Sequence, residues 1–205
     1  MWLKWPFDLA MKKIGITGCI GSGKTILSKV FSQLGVSVYN ADEQAKLLMV
    51  EDTKLIEDIK ALFGNEAYDS TGKLNRLFIS TLVFQDKLLL EKLNDLVHPV
   101  VFQDFEKWIL QHQNEPYILK EAALIFESDS HTFLDQIIVV TAPEELRISR
   151  TIQRDKTDRE SVLVRMENQL TQQEKLDRAD YEIVNDELSL VIPQVIALHK
   201  KLLAG

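Results

Sequence analysis

Gly18-Cys19-Ile20-Gly21-Ser22-Gly23-Lys24-Thr25 reads G-x-x-x-x-G-K-S/T, the pattern of a phosphate-binding loop, and its flanks make the reading specific. Ahead of it, Lys13-Ile14-Gly15-Ile16-Thr17 has the composition of a short apolar strand. Behind it, Ile26, Leu27, Val30, Phe31 and Leu34 recur at helical spacing. Strand, loop and helix in this order argue against a glycine-rich turn that merely connects two elements. The glycines let the backbone turn tightly and aim successive N–H groups at one point, to which the helix N-terminus adds its positive dipole end. An anion belongs there. The pattern places Lys24 on the β- and γ-phosphates of a nucleotide and the Thr25 hydroxyl on Mg²⁺. Gly21, Ser22, Gly23, Lys24, Thr25 and Ile26 are therefore the expected nucleotide contacts.

Outward from the loop, Gly35 closes the first helix and Val36-Ser37-Val38-Tyr39 reads as a second strand. Asp42 follows it, at the carboxyl end of a strand, where open α/β sheets place their ligands. A helix is expected over 41–50. From Asp52 to Glu115 the pattern is helical without strands: an apolar face at Leu55, Ile56, Ile59, Leu62 and Phe63, a turn at Asp69-Ser70-Thr71-Gly72, and helices over 74–84 and 86–97. His98-Pro99 is expected to end the last of these and begin another that reaches His112. Such a helical insertion is a natural place for a substrate-binding lobe.

Strand character returns at Pro116–Glu121, ending on a carboxylate, and Gln136–Thr141 is the clearest buried strand of the chain. Glu121 ends its strand near the phosphate site and is a candidate Mg²⁺ neighbour through water. Pro143 opens a helix on which Arg147, Arg150 and Arg154 share one face. Thr157-x-x-Glu160 and Thr171-x-x-Glu174 both have the form of a capping box. Tyr181–Val184 is the last strand and 188–203 the closing helix. The fold class is α/β: five parallel strands flanked by helices.

Composition narrows the function. With 31 acidic and 24 basic residues the 205-residue chain carries a formal charge of −7, which argues against a broad nucleic-acid or anionic-membrane surface. The single cysteine, Cys19, forms no internal disulfide and fits a reducing, cytoplasmic setting. It lies at a variable loop position and is expected to be inert. No apolar run approaches the ~20 residues of a membrane span. Met1–Ala10 is read as an extension without signal-peptide character, and Met11 stands where a natural start could lie. The guanine-reading Asn-Lys-x-Asp string is absent, which disfavours a GTPase, and the chain lacks the length and basic track of nucleic-acid motors. A small-molecule kinase needs a carboxylate near the acceptor, an acceptor lobe and mobile arginines over the transferring phosphoryl group, and the chain offers all three. Another kinase of this architecture, acting on a nucleoside monophosphate or small alcohol, and a nucleotide-binding switch remain the alternatives on these grounds.

Seven landmarks in order make the chain resemble the dephospho-coenzyme A kinase family from Lys12 to Leu203. They are the loop, Asn40-Ala41-Asp42, Leu74-Asn75-Arg76, Leu96-Val97-His98-Pro99, Ala123-Leu124-Ile125-Phe126-Glu127, Arg150 with Arg154-Asp155, and Ala179-Asp180 with Ile183-Val184-Asn185. The family usually has Asp for Asn40 and Pro for Ala123. The sequence leaves the oligomeric state open, with a monomer favoured, and the resemblance implies ATP-dependent phosphorylation of the ribose 3′-hydroxyl of dephospho-coenzyme A. It implies a core over 11–51, 116–142 and 179–205, a helical coenzyme-binding lobe over 52–115 and a lid over 143–178. It also implies Asp42 as the catalytic carboxylate, Arg76 and His98 as acceptor contacts, Arg150 and Arg154 in the lid, and Asn185 beside the nucleotide.

Overall fold

The computed structural model describes residues 11–204; the expected extension over residues 1–10 lies outside them. The elements run β1 (Lys12–Thr17), α1 (Lys24–Gln33), β2 (Val38–Asn40), α2 (Ala41–Glu51), α3 (Thr53–Phe63), α4 (Arg76–Gln85), α5 (Lys87–His112) and β3 (Tyr117–Glu121). They continue with β4 (Gln136–Thr141), α6 (Glu144–Asp155), α7 (Arg159–Glu167), α8 (Gln172–Leu176), β5 (Tyr181–Val184) and α9 (Val191–Leu203). Residues 11–39 and 112–204 form one compact unit, and 40–111 a second, so α2 goes with the helical insertion.

The first unit is built on a parallel five-stranded sheet in the order β2-β3-β1-β4-β5. Ile14 pairs with Leu119 on one side and Gln136 on the other, and Val140 with Ile183. One face carries Ile14, Ile16, Tyr117, Leu119, Ile138, Val140 and Ile183, packed with Leu27 and Phe31 of α1 and Val195, Leu198 and Leu202 of α9. The other face is covered closely too. A side chain at Gly15 would run into Leu134 and Ile125. Burial on both faces explains why these strands read as continuous apolar runs instead of alternating ones. The chain leaves β1 toward β2 on one side of the sheet and leaves β3 toward β4 on the other. The carboxyl ends of the adjacent strands β1 and β3 therefore form the switch point where such sheets bind ligands.

Three elements differ from the sequence reading. The helix expected to break at His98-Pro99 is continuous as α5, with Pro99 inside it. Val97, Val101 and Phe105, spaced by four, are all buried, and Phe105 stacks on Trp108 with ring centroids 6.2 Å apart. That packed stripe carries the helix through a residue that gives the Asp95 carbonyl no N–H. The box expected at Thr157 is replaced by Asp158, whose carboxylate accepts from the Ser161 N–H at 2.7 Å and the Ser161 hydroxyl at 3.0 Å. The closing helix starts at Val191, because Asp186 takes the Leu188 and Ser189 N–H groups into a turn first. The capping box at Thr171 and Glu174 is formed as expected.

Pro99→Ala should stabilise the protein by about 2 kcal/mol, because an interior proline costs about 3 kcal/mol against alanine and its unfolded-state benefit is smaller. Thermal unfolding checks this. A lowered midpoint would mean that the packing of α5 requires the proline geometry.

Candidate active site

The phosphate loop links β1 to α1 at the switch point. Gly23 is the residue before α1 and adopts φ 94°, with no side-chain cap, and the first turn holds no acidic residue. By contrast Asn40, Asp52 and Asn75 each place a side-chain oxygen on the N-terminus of α2, α3 and α4. Among the described residues no side chain thus covers the start of α1, where the Ile26 and Leu27 N–H groups turn back on the Gly23 carbonyl at 3.0 and 3.2 Å. Gly21 is also left-handed, at φ 78°, and a Cβ there would fall on the Arg147 carbonyl of α6. Ser22 and Leu27 are buried, whereas Lys24 is half-buried and Thr25 and Ile26 are exposed.

The loop is gripped from several directions. Asn185 donates its side-chain amide to the Ser22 carbonyl at 2.7 Å, and its own N–H goes to the Thr141 carbonyl at 2.8 Å. Arg150 donates to the Asn185 carbonyl at 3.1 Å and pairs with Glu187 at 3.0 Å. Phosphate loop, Asn185 and Arg150 are therefore brought together. Arg154 is 59% exposed and bonds to Asp155, which also accepts from Arg165 at 2.7 Å. The Arg154 bond, then the Arg165 bond, holds the Asp155 carboxyl well below the usual range against the opposing effect of burial. Arg147, which shares a helix face with Arg150 and Arg154 in the sequence, is buried and donates to the Ala142 carbonyl at 3.2 Å.

At the end of β3, Glu121 is 2% exposed and accepts from the Thr25 hydroxyl at 2.5 Å. Two hard oxygen groups meet here beside the loop, the donor set that suits a divalent cation keeping water and phosphate oxygens for the rest of its shell. Glu121's neighbour Lys120 is 3% exposed, and burial pushes its ammonium down to about 8. Burial pushes the Cys19 thiol up, outweighing the nearby Arg147 and Lys175, and so disfavours the thiolate.

Of three residues around the loop, Gln169 and Lys175 were not singled out from sequence, and Glu127 stood there only within a family landmark. Gln169 accepts the Ile20 N–H at 2.9 Å. Lys175 is fully buried and donates to Glu127 at 2.7 Å and to the Ala123 carbonyl at 3.0 Å. Glu127 also accepts the Leu170 N–H at 2.9 Å. The signal was there in part: the Thr171 capping box fixes where α8 begins, and so where Gln169 stands two residues before it.

In the second unit, Asp42 is exposed in the first turn of α2, and Arg76, also exposed, opens α4 behind its cap Asn75. Arg76 lines a cavity of about 410 Å³ with Glu43, Lys46, Lys73 and the apolar Leu47 and Leu74. His98 is exposed on α5 and does not line this cavity. Asn40, where the family usually has Asp, caps α2 by accepting the Glu43 N–H at 3.1 Å, a task Asn performs as well as Asp. Ala123, in place of proline, contributes its carbonyl, to which Thr17 also donates at 3.2 Å.

The sequence profile of the family described as dephospho-CoA kinase matches residues 12–190. The chain belongs to the dephospho-CoA kinase family. A dephospho-CoA kinase of Leptospira interrogans is 40% identical over 172 residues, covering 84% of this chain and 83% of its own. One of Bacteroides fragilis is 36% identical over 186 residues, 91% of this chain and 90% of its own. A crystal structure from Thermus thermophilus superposes with a TM-score of 0.80 at 31% identity, covering 96% of this chain and 98% of that one. This kinase thus shares both sequence and architecture with its relatives over nearly all its length. Among the described residues no helix is long and apolar enough to cross a membrane.

Lys120 supplies a pH test of the sheet beneath the site. Its folded value, about 8, lies below its ordinary 10.5, so the fold disfavours the charged form. Relative to Lys120→Met, parental stability should rise by about 3 kcal/mol between those two values and stay at its lower level below them. Urea denaturation across this range checks it, and a flat difference would mean that Lys120 keeps its charge without cost.

Proposed function

We infer that this kinase transfers the γ-phosphoryl group of ATP to the ribose 3′-hydroxyl of dephospho-coenzyme A, giving coenzyme A and ADP. The observation that carries the reading is membership of the family over residues 12–190, in a chain whose phosphate loop and Thr25–Glu121 pair are fully built. ATP is the co-substrate, with Gly21 to Ile26 cradling its phosphates, Lys24 directed at the transferring group and Asn185 beside the loop.

Thr25, with Glu121 behind it, would hold Mg²⁺, which when bound neutralises charge on the phosphate oxygens. Asp42 is the proposed base: it takes the proton of the acceptor hydroxyl and aligns that oxygen with the γ-phosphorus. The new P–O bond forms as the bond from the γ-phosphorus to its bridging oxygen breaks, and ADP leaves. Arg76 and His98 are assigned to the acceptor. Residues 143–178 are assigned to the lid region, with Arg150 and Arg154 over the phosphates to keep water out, while its points at Arg147 and Gln169 stay against the loop. The acidic net charge and lone Cys19 support a cytoplasmic enzyme that acts as a monomer without nucleic acid.

With Mg-ATP and a panel of acceptors, ADP release should depend on dephospho-coenzyme A and stay at background with adenosine monophosphate, shikimate or water. Equal turnover on adenosine monophosphate would overturn the assignment. For Asp42→Asn, nucleotide affinity by calorimetry should be preserved while turnover falls about 10²–10⁴-fold, the range for a positioned acid or base. Turnover like that of the parent would make Asp42 a helix-terminus residue and move the base elsewhere.

A further inference from the structure

The phosphate loop has a backbone hydrogen bond that neither its motif nor the proposed chemistry uses. The turn Cys19–Ser22 is closed by the Ser22 N–H on the Cys19 carbonyl at 3.0 Å, and within it the Ile20 N–H points away to the side-chain oxygen of Gln169 at 2.9 Å. Gln169 lies just past α7, in a segment fixed at neighbouring points. The Leu170 N–H is held by Glu127 at 2.9 Å, the Leu170 carbonyl faces the Cys19 sulfur at 3.7 Å, and Gln172 accepts the Ala142 N–H at 3.1 Å. Glu127 is in turn fixed by Lys175, whose ammonium is fully buried and also bonded to the Ala123 carbonyl. A buried ammonium with a paired carboxylate and a carbonyl is costly to rearrange, so this anchor has one geometry.

We propose that Gln169 is a positioning residue for phosphoryl transfer. By holding the Ile20 peptide, it keeps the outer turn of the phosphate loop in the orientation in which the following N–H groups converge on the nucleotide phosphates. The Lys175–Glu127 pair sets the place from which Gln169 does so. Asn185 on the Ser22 carbonyl and the Arg147 carbonyl beneath Gly21 constrain the same loop from other segments, but neither holds the Ile20 peptide. Without Gln169 that peptide can rotate, and the nest must be ordered again each time a nucleotide binds. The inference rests on the kinase reading for its turnover arm. Its binding arm needs no acceptor, so failure of the acceptor assignment would leave it testable.

The test compares Gln169→Leu with Gln172→Leu, which removes an equivalent bond from the same segment without touching the loop. Gln169→Leu should weaken ADP binding in calorimetry about tenfold and lower kcat about tenfold, the scale of one lost hydrogen bond in a preorganised site. The KM for the acceptor should stay within about twofold, and exchange of the Ile20 amide proton should accelerate. Gln172→Leu should lower the unfolding midpoint at least as much while leaving ADP affinity within about twofold. If Gln169→Leu binds ADP and turns over like the parent, Gln169 only packs the segment. If Gln172→Leu weakens ADP binding equally, the effect is general loosening. Either result overturns the proposal.

Discussion

The uncapped N-terminus of α1 is the constraint on which the rest of the nucleotide unit depends. Leaving several backbone N–H groups without an internal partner is unfavourable, and most helices here relieve it with a side-chain oxygen. α1 takes no side-chain cap: Gly23 precedes it, no acidic residue occupies its first turn, and its Ile26 and Leu27 N–H groups turn back on the Gly23 carbonyl. This end of the helix is the proposed phosphate site. Around them the chain supplies rigidity from three separate segments: the α6 backbone at Arg147, the segment after α7 at Gln169, and the segment after β5 at Asn185. A loop so held has little entropy left to lose when the phosphates arrive.

The sheet explains why carboxylate and hydroxyl meet beside that loop. β1 and β3 are parallel neighbours, with Ile16 level with Glu121, and their connections leave in opposite directions. The loop after β1 and the last residue of β3 therefore share one end of the sheet, and Thr25 reaches Glu121 across it. Nothing in the spacing of residues 25 and 121 suggests this. The strand order does.

The two departures from the family pattern are absorbed in different ways. Asn40 keeps an oxygen acceptor at the start of α2, so the local hydrogen bond survives loss of the charge. Ala123 participates through its backbone carbonyl, which any residue would provide, so the buried Lys175 and the Thr17 hydroxyl keep their acceptor. In both cases the atom that matters is not the one by which the residues differ.

Much of the fold was legible along the chain. The strands at 136–141 and 181–184 and the helix after the loop were written in local patterns: runs of β-branched residues, a Gly-rich turn followed by helical periodicity, and Gly35 at a helix end. The phosphate loop was equally local, since its motif and its flanks are contiguous. What sequence misjudged was α5, where Pro99 looked like a boundary and the packing of Val97, Val101 and Phe105 carried the helix through it. Helical spacing likewise put Arg147 on a face with Arg150 and Arg154 without showing that it is buried, because spacing gives a face but not what covers it. The sequence by itself determined most of the elements and the phosphate-loop motif, which are encoded within a few residues of each other. Only the tertiary structure decided that Gln169, Lys175 and Glu127 support the loop, and that Glu121, already expected near the phosphate site from its place at a strand end, accepts directly from Thr25. These contacts join residues 48 to 149 positions apart, and short-range periodicity carries no information at that separation.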